Sequence, residues 1–340
     1  MNIRKIGLTA LAGSLVASTA FAGELSISGA AKFSYKSMDG TNERVGASAG
    51  TTGTGMDTAS PFAMDQDISA AGSAELDNGM TISVSHGLTS TGGASDTSSL
   101  TLDMGDMGKL SYNDTDVGGG LKALDDLSPS AYEETWDGVN GEVAAAMASG
   151  AGFSYSNTIG GASVGIQFSD NLGATTDRSD GSQDTTAAGA SSSHSIGITY
   201  PVADTGLTVF GGIGTEGQAD STEIDHNTIG LKYAYGPVTV GYQVNDEDNS
   251  AADNTVAADE DLESTIMGIS FMVNENLSIS YGEHETTSTA TGAVDQELDG
   301  VSIAYSMGGM TLSAYQNEGK NISNTAGTSK ATEILLSFAF

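Results

Sequence analysis

The chain has 340 residues, no cysteine and four prolines, and its 44 acidic against 11 basic residues give a formal net charge of −33. Without cysteine, neither disulfide bonds nor thiolate metal sites can form, and the negative field repels nucleic acid and attracts cations. Beyond the N-terminal segment no apolar run approaches the length of a transmembrane helix, so membrane insertion would have to use β-strands.

Residues 1–22 have the pattern of a cleavable secretory signal. Arg4 and Lys5 precede an apolar stretch, and the small residues Ala20 and Ala22 stand just before Gly23. We therefore expect export from the cytoplasm, with cleavage after Ala22. A retained membrane anchor is the alternative, but the apolar stretch is shorter than the roughly 20 residues of a spanning helix.

From Gly23 onward the chain repeats one unit, in which apolar or small residues alternate with polar ones before a break. A period of two residues is typical of β-strands with two unlike faces. The pattern predicts sixteen strands. Their apolar positions fall within residues 25–35, 68–76, 80–84, 100–104, 110–112, 153–155, 164–168, 196–200, 207–213, 229–235, 238–244, 267–271, 277–281, 301–305, 310–314 and 334–340.

The breaks between these strands alternate between short and long. The short ones lie at 77–79, 105–108, 159–161, 201–206, 236–237, 273–276 and 307–309. The long ones lie near 38–66, 89–97, 113–150, 169–191, 214–222, 245–261, 284–296 and 317–329. Sixteen antiparallel strands with both ends on the short-turn side produce this alternation. We predict an all-β fold with one domain, 23–340: a transmembrane antiparallel β-barrel with short periplasmic turns and long extracellular loops.

The apolar faces are expected to point outward, toward lipid. The opposite faces are crowded with Ser, Thr, Asp, Glu, Gln and Lys, which suit a water-filled lumen better than the shared core of a soluble sandwich. Aromatic residues recur near strand ends, as in the interfacial girdles of barrels. They are Tyr35, Tyr200, Tyr235, Tyr281, Phe338 and Phe340.

The last strand ends on a phenylalanine. Ile334, Leu336, Phe338 and Phe340 share one face of it. The segment resembles the C-terminal strand of Gram-negative outer-membrane barrels, whose final phenylalanine is read by the assembly machinery. The resemblance implies that Phe338 and Phe340 form an assembly signal.

Taken together, the signal segment, the sixteen strands, the long third loop and the terminal phenylalanine resemble the general-diffusion porins of Gram-negative bacteria. The likeness covers the whole mature chain, and it rests on architecture rather than on long identical stretches. It implies a third loop folded into the barrel, carboxylates on that loop facing basic residues on the wall, and a homotrimer. The implied partners are outer-membrane lipid, lipopolysaccharide and the assembly machinery.

The third loop, 113–150, supplies the candidate pore residues. We expect its acidic side chains to narrow the pore and to favour cations. They are Asp125, Asp126, Glu133, Glu134 and Asp137. Tyr132 and Trp136, the only tryptophan, are expected to pin the loop against the inner wall. An exposed acidic loop without a role in the pore is the alternative.

The basic side of the pore is predicted on the polar strand faces. Four lysines lie there: Lys32, Lys36, Lys109 and Lys232. The only arginines after the signal segment, Arg44 and Arg178, lie in loops, which departs from the dense arginine cluster of many family members. This departure favours a strongly cation-preferring pore over a balanced one.

Other sites have weaker support. The sixth loop carries the acidic runs 246–248 and 259–261 with Asp253, which could bind Ca²⁺ but lack the spacing of an EF-hand. No other metal or cofactor is expected. The polar faces hold His226 and His284, and the apolar faces hold His86 and His194, without metal-site spacing.

No catalytic motif stands out, so we expect a channel and not an enzyme. The leading interpretation is an outer-membrane porin for passive diffusion of small hydrophilic solutes. A solute-specific porin is a second possibility, but it would need aromatic side chains in the lumen, where Tyr315 is one of few. A third is a β-rich surface adhesin that never enters a bilayer.

Overall fold

The computed structural model describes residues 25–40, 61–89, 95–115, 117–139, 147, 150–170, 192–217, 223–249, 261–324 and 326–340. The predicted signal segment, with Ala20 and Ala22, lies outside these ranges. Sixteen strands run through the described residues: β1 Leu25–Gly40, β2 Phe62–Glu75, β3 Thr81–Thr89, β4 Ser95–Asp103, β5 Lys109–Asn113, β6 Gly152–Ile159, β7 Ala162–Asp170, β8 Ser192–Val202, β9 Leu207–Gly217, β10 Glu223–Tyr235, β11 Val238–Asn249, β12 Leu262–Asn274, β13 Leu277–Ser288, β14 Gln296–Met307, β15 Met310–Lys320 and β16 Thr328–Ala339. Short 3-10 helices occupy Gly105–Met107, Lys122–Leu124 and Ile322–Asn324.

These strands form one closed antiparallel barrel. Each strand pairs with its neighbours in the chain, and β1 pairs with β16 to close the ring. Two backbone hydrogen bonds join Gly29 and Phe340 at the end of this pair, at 2.8 and 2.9 Å. The predicted fold class and strand number are confirmed. Among the described residues, no helix has the length and apolar character needed to cross a membrane.

The two faces of the barrel have opposite polarity. Large apolar side chains on the outer face are exposed, for example Ile27, Ile229 and Phe168 at 72%, 68% and 47%. The inner face buries polar side chains instead, among them Gln167, Gln243 and Thr286. A soluble sandwich would bury its apolar faces, so this distribution matches a barrel whose outer surface meets lipid. All six aromatic residues of the predicted girdles are exposed on the outside.

Several strands continue beyond the segments predicted from sequence. β2 starts at Phe62, and β10 and β11 extend to Glu223 and Asn249 at the long-loop end. The outward side chains of β10 and β11 change there from apolar to acidic, as at Asp225 and Asp248, whereas β2 starts with the outward apolar residues Phe62 and Met64. Because the backbone pairing of β10 and β11 continues where their apolar alternation stops, the sequence pattern predicts only the part of these two strands that meets lipid.

Candidate functional site

Residues 117–139 of the third loop lie inside the barrel, and of these only Ala123 and Ser130 are exposed. Side chains of the inner wall on β8, β11, β13 and β14 hydrogen-bond its backbone. These bonds join Leu121 N to Ser195 Oγ at 3.0 Å, Leu127 N to Gln243 Oε1 at 2.9 Å, Ala131 N to Ser280 Oγ at 2.9 Å, and Tyr132 N to Ser302 Oγ at 3.1 Å. Asn317 Nδ2 donates to the carbonyl oxygens of Glu134 and Asp137 at 2.7 and 3.0 Å. The loop therefore follows the inner wall from β8 to β15.

Glycines on the inner wall form the surface against which the loop packs. They occur in two rows of directly paired neighbours across adjacent strands, Gly165–Gly197–Gly212 and Gly241–Gly268–Gly282–Gly300. A side chain on Gly197 would collide with the backbone of Gly120, and a Cβ on Gly268 would lie 3.0–3.1 Å from atoms of Ser128 and Pro129. The loop approaches the strands this closely because those positions carry no side chain.

An apolar cluster holds the segment 132–139 of the loop against β14–β16. Its buried residues are Val139, Leu298, Tyr315, Ile322 and Ala331. The predicted anchors Tyr132 and Trp136 pack against this cluster. The Tyr132 ring stacks on Tyr315 at 5.9 Å, and Trp136 packs edge-on against His284 at 5.6 Å. Both aromatics therefore contact side chains of the inner wall, and their role as anchors of the loop stays a prediction.

Three of the predicted carboxylates form one group. Oxygen atoms of Glu133, Glu134 and Asp137 lie within 4.8 Å of one another, a spacing that could hold a metal ion. Asp137 Oδ2 also accepts a hydrogen bond from the backbone N–H of Glu134 at 3.0 Å. Burial raises the pKa of all three carboxyls, because partial removal from water disfavours their charged forms.

Asp125 and Asp126 lie earlier in the loop, facing β11. Gln243 Nε2 and Asn245 Nδ2 hydrogen-bond the backbone carbonyl of Asp125 at 2.9 and 2.7 Å. Asp126 accepts hydrogen bonds from the backbone and hydroxyl of Ser128, which fixes its orientation. Burial raises the pKa of Asp126 to about 6, although the Ser128 hydrogen bonds and the Lys232 charge oppose the rise.

The four predicted lysines do not form one basic wall. Lys32 lies 4.0 Å from Asp67 on the neighbouring strand, and Lys109 lies 3.0 Å from Asp103 near a short turn. Lys232 projects inward from β10, close enough to Asp126 to lower the pKa of that carboxyl.

Lys36 is the cross-strand neighbour of Glu333, and its stem reaches Gly138 of the loop. Lys32 and Lys36 thus face the Glu133 side of the loop and Lys232 faces the Asp126 side. Each of the four lysines therefore lies near a carboxylate, and together they do not form a separate basic wall.

The sequence analysis did not predict three carboxylates that lie on the inner wall. Asp65 and Asp67 project inward from β2 beside Lys32, and Glu333 projects inward from β16 between Lys36 and Tyr315. Glu333 lies in the C-terminal strand, for which the sequence analysis considered only the apolar face. Its place on the opposite face, between Ala331 and Leu335, could have predicted that it points into the lumen.

The lumen continues below the loop as a cavity of about 1130 Å³ toward the short turns. Its lining includes Lys109, Lys232, Gly119, Leu124 and Ser154. Two of the predicted lysines therefore border this lower part of the lumen.

The predicted Ca²⁺ ligands of the sixth loop do not converge where the structure describes them. Asp246, Glu247 and Asp248 belong to β11, so Glu247 points inward while the other two point outward. Asp253 and the residues 259–260 lie outside the described residues. Ca²⁺ binding at the long loops remains a prediction.

A sequence profile for Gram-negative porins matches residues 7–333, nearly the whole chain. The chain belongs to the Gram-negative porin family. The family and the barrel identify an outer-membrane diffusion channel. Neither finding supports the alternative, an adhesin that never enters a bilayer.

Solved porin structures share this fold at low sequence identity. A porin structure refined at 1.8 Å has 14% identity and a TM-score of 0.65, covering 93% of this chain and 100% of its own. An anion-selective porin from Comamonas acidovorans has 12% identity and a TM-score of 0.64, covering 94% and 100%. An engineered variant of the Rh. blastica porin has 14% identity and a TM-score of 0.60, covering 93% and 100%. No curated protein matches this porin by sequence.

Proposed function

We propose that this porin passes small hydrophilic solutes by diffusion and prefers cations to anions, with its narrowest point at the third loop. The supporting observation is the charge around that loop, where carboxylates outnumber lysines. The carboxylates are Asp65, Asp67, Asp125, Asp126, Glu133, Glu134, Asp137 and Glu333, and the lysines are Lys32, Lys36, Lys122 and Lys232. Fixed negative charge in a confined lumen raises the local cation concentration and repels anions.

Ion selectivity has to come from such side chains, because the barrel alone does not set its sign. The structural neighbours include an anion-selective porin with the same fold. A salt-gradient measurement in planar bilayers tests the proposal directly. We expect a reversal potential of the sign that favours K⁺ over Cl⁻, together with liposome swelling by small sugars that declines with sugar size. A chloride-favouring potential would overturn the cation preference, and an absence of swelling would overturn diffusion of neutral solutes.

The cation preference should weaken as the pH falls. The pKa of Asp126 is raised to about 6, and the pKa values of Glu133, Glu134 and Asp137 are raised as well, so these groups take up protons at a higher pH than free carboxyls. We expect the K⁺/Cl⁻ permeability ratio to fall about twofold or more between pH 8 and pH 5.

The same reversal-potential series on Asp126→Asn provides the control. The K⁺/Cl⁻ permeability ratio of this variant at pH 8 should be lower than that of the wild type. The decrease of the ratio near pH 6 should also be smaller than in the wild type. A wild-type ratio that stays constant over this range would contradict the assignment of these carboxyls to the narrow part of the pore.

A solute-specific pore has less support. Besides Tyr315, the inner wall carries Phe210, which the sequence analysis missed, but both rings are buried, at 2% and 5% exposure. Phe210 covers Gly230, and Tyr315 lies beneath Tyr132. Neither ring offers an open face on which a sugar could stack. A single-channel current that saturates with one solute would favour the specific pore instead.

We also propose export through the periplasm, insertion beside lipopolysaccharide and assembly as a homotrimer. Polar groups on the outer face of β2–β4 support a subunit contact there. Gln66 lies between the exposed Met64 and Ile68, and His86 Nδ1 lies 2.8 Å from Ser98 Oγ. Polar side chains are costly to place against lipid, and a partner subunit would remove them from it.

Phe340 is expected to be important for barrel closure as well as for recognition by the assembly machinery. Its backbone makes both hydrogen bonds to Gly29, and its ring covers the face of that glycine. Deleting Phe340 should reduce the amount of heat-modifiable barrel in outer membranes several-fold, whereas Phe340→Ala, which keeps the backbone bonds, should have a smaller effect. Wild-type amounts of both variants on gels would refute this role.

A further inference from the structure

A buried histidine lies between two carboxylates on the inner wall, near the long-loop end of the barrel. His226 projects inward from β10 and is 3% exposed. Its Nε2 lies 3.8 Å from Glu216 Oε2 on β9, and its Nδ1 lies 3.8 Å from Glu247 Oε2 on β11. Neither ring nitrogen has a hydrogen-bond partner among the residues that the structure describes.

This arrangement is unfavourable for an uncharged imidazole. A neutral histidine carries one N–H donor and one nitrogen with a lone pair. The N–H can point at one carboxylate, but the lone pair then faces the negative oxygen of the other. The repulsion is removed when a positive group lies between that nitrogen and its carboxylate.

The distances distinguish a proton from a metal ion. A protonated histidine bound to carboxylates usually brings nitrogen and oxygen to about 2.7–2.9 Å. Two ligand atoms of a tetrahedral zinc ion, with bonds of about 2.0–2.1 Å, lie about 3.3 Å apart. The observed 3.8 Å between Nε2 and Glu216 Oε2 is too long for a protonated pair and lies nearer to the separation around zinc, so a small movement of Glu216 toward the ring would complete the pair.

We propose that His226 Nε2 and Glu216 bind a divalent transition-metal ion such as Zn²⁺ on the inner wall of the pore. Glu216 is the more buried of the two carboxylates, with 12% side-chain exposure against 19% for Glu247. Glu247 Oε2 stands 3.8 Å from Nδ1 on the other side of the ring; moved closer on metal binding, it would accept an Nδ1–H bond, as carboxylates commonly do for metal-binding histidines. The buried hydroxyl of Ser193 lies directly across from Glu216 in the strand register and, without a hydrogen-bond partner among the described residues, offers a further oxygen.

The inner and outer histidines of this barrel provide a matched comparison. His284 is also inward and buried, but its Nε2 lies 3.0 Å from Thr286 Oγ1 and its ring packs against Trp136. His194 lies on the outer face of β8, next to β9, where its strand neighbour is Thr215. We therefore expect that neither His284 nor His194 can bind the metal ion in place of His226.

Isothermal titration of the full-length, detergent-extracted porin with ZnCl₂ at pH 7.5 tests the proposal without depending on conduction. We expect one Zn²⁺ per chain at the strongest site and at least tenfold weaker binding in His226→Gln and Glu216→Gln. His194→Gln should bind as the wild type does. Excess Mg²⁺ should not compete, because Mg²⁺ prefers oxygen ligands, whereas Zn²⁺ held only by acidic side chains would be displaced.

Heat-modifiable gel mobility reports whether each variant still forms a barrel. If His226→Gln does not fold, Glu216→Gln, which retains the histidine, carries the test. Absence of Zn²⁺ binding to the wild type, equal binding by the wild type and Glu216→Gln, or an equal loss in His194→Gln would overturn the proposal. A separate bilayer recording should show that Zn²⁺ lowers the cation preference of the wild type and not that of His226→Gln.

Discussion

Replacing Gly268 with valine is expected to lower the single-channel conductance about twofold or more, since ion flow depends steeply on the width of the narrowest point. Even a Cβ at this position would lie 3.0–3.1 Å from atoms of Ser128 and Pro129, and the γ-carbons of valine reach further. Gln243 on one side and Ser280 on the other tether the loop, so it can yield only toward the pore axis. Gly241→Val, which adds a side chain against the same proline, should act in the same way.

Ser270→Val is the matched control for this experiment. Ser270 lies on the same face of β12, two residues beyond Gly268, and it already carries a side chain, so valine adds less volume there than at Gly268. Conductance and sugar-dependent swelling of this control should stay near the wild-type values. A folded Gly268→Val barrel with wild-type conductance would show that the loop does not limit the pore.

Neutralising the loop carboxylates should have the second large effect. In Glu133→Gln/Glu134→Gln/Asp137→Asn, we expect the K⁺/Cl⁻ permeability ratio to fall about threefold or more, because three adjacent charges disappear from the narrow part of the lumen. The reversal potential in a KCl gradient gives this ratio directly. The shift should be largest at low salt, where the charges are least screened.

The barrel offers a control with the same change in net charge. Glu283, Glu285 and Asp299 are exposed on the outer face of β13 and β14. Their neutralisation removes three negative charges without altering the lumen, so the permeability ratio should change little. Equal effects of the two triple variants would mean that overall charge, and not the loop, sets the selectivity.

The sequence was sufficient to predict the sixteen strands because lipid requires apolar residues on one face and the lumen permits polar ones on the other. It was insufficient at the outer strand ends, where acidic residues such as Asp225 and Asp248 face outward and remove the contrast between faces. The glycine rows were also missed, because Gly241 and Gly268 fit either face of a strand when they are considered one at a time. Only the strand register shows that these glycines are direct neighbours and together form a surface for the loop.

The candidate site was predictable in part for the same reason. Tyr132 and Trp136 were identifiable by their contrast with a chain rich in small residues, and both pack against the cluster around Tyr315. The partners of Lys32 and Lys36 were not identifiable, because Asp67 and Glu333 become their neighbours only through the strand register. Likewise, Glu216 and Glu247 approach His226 from two different strands, so no local spacing in the sequence marks the group.

The pairing of β1 with β16 has a consequence for how the ring can form. Every other strand pair joins consecutive segments, whereas Ala31 and Phe338 are cross-strand neighbours about 300 residues apart in the chain. The topology is thus a series of local hairpins with one distant seam, and the entropy of closing the ring is concentrated at that seam. A circular permutant that links the original ends and opens at the turn 236–237 should build the same ring with its seam between β10 and β11. In this permutant, the mutations that slow refolding should lie in the β10–β11 pair and no longer in the β1–β16 pair.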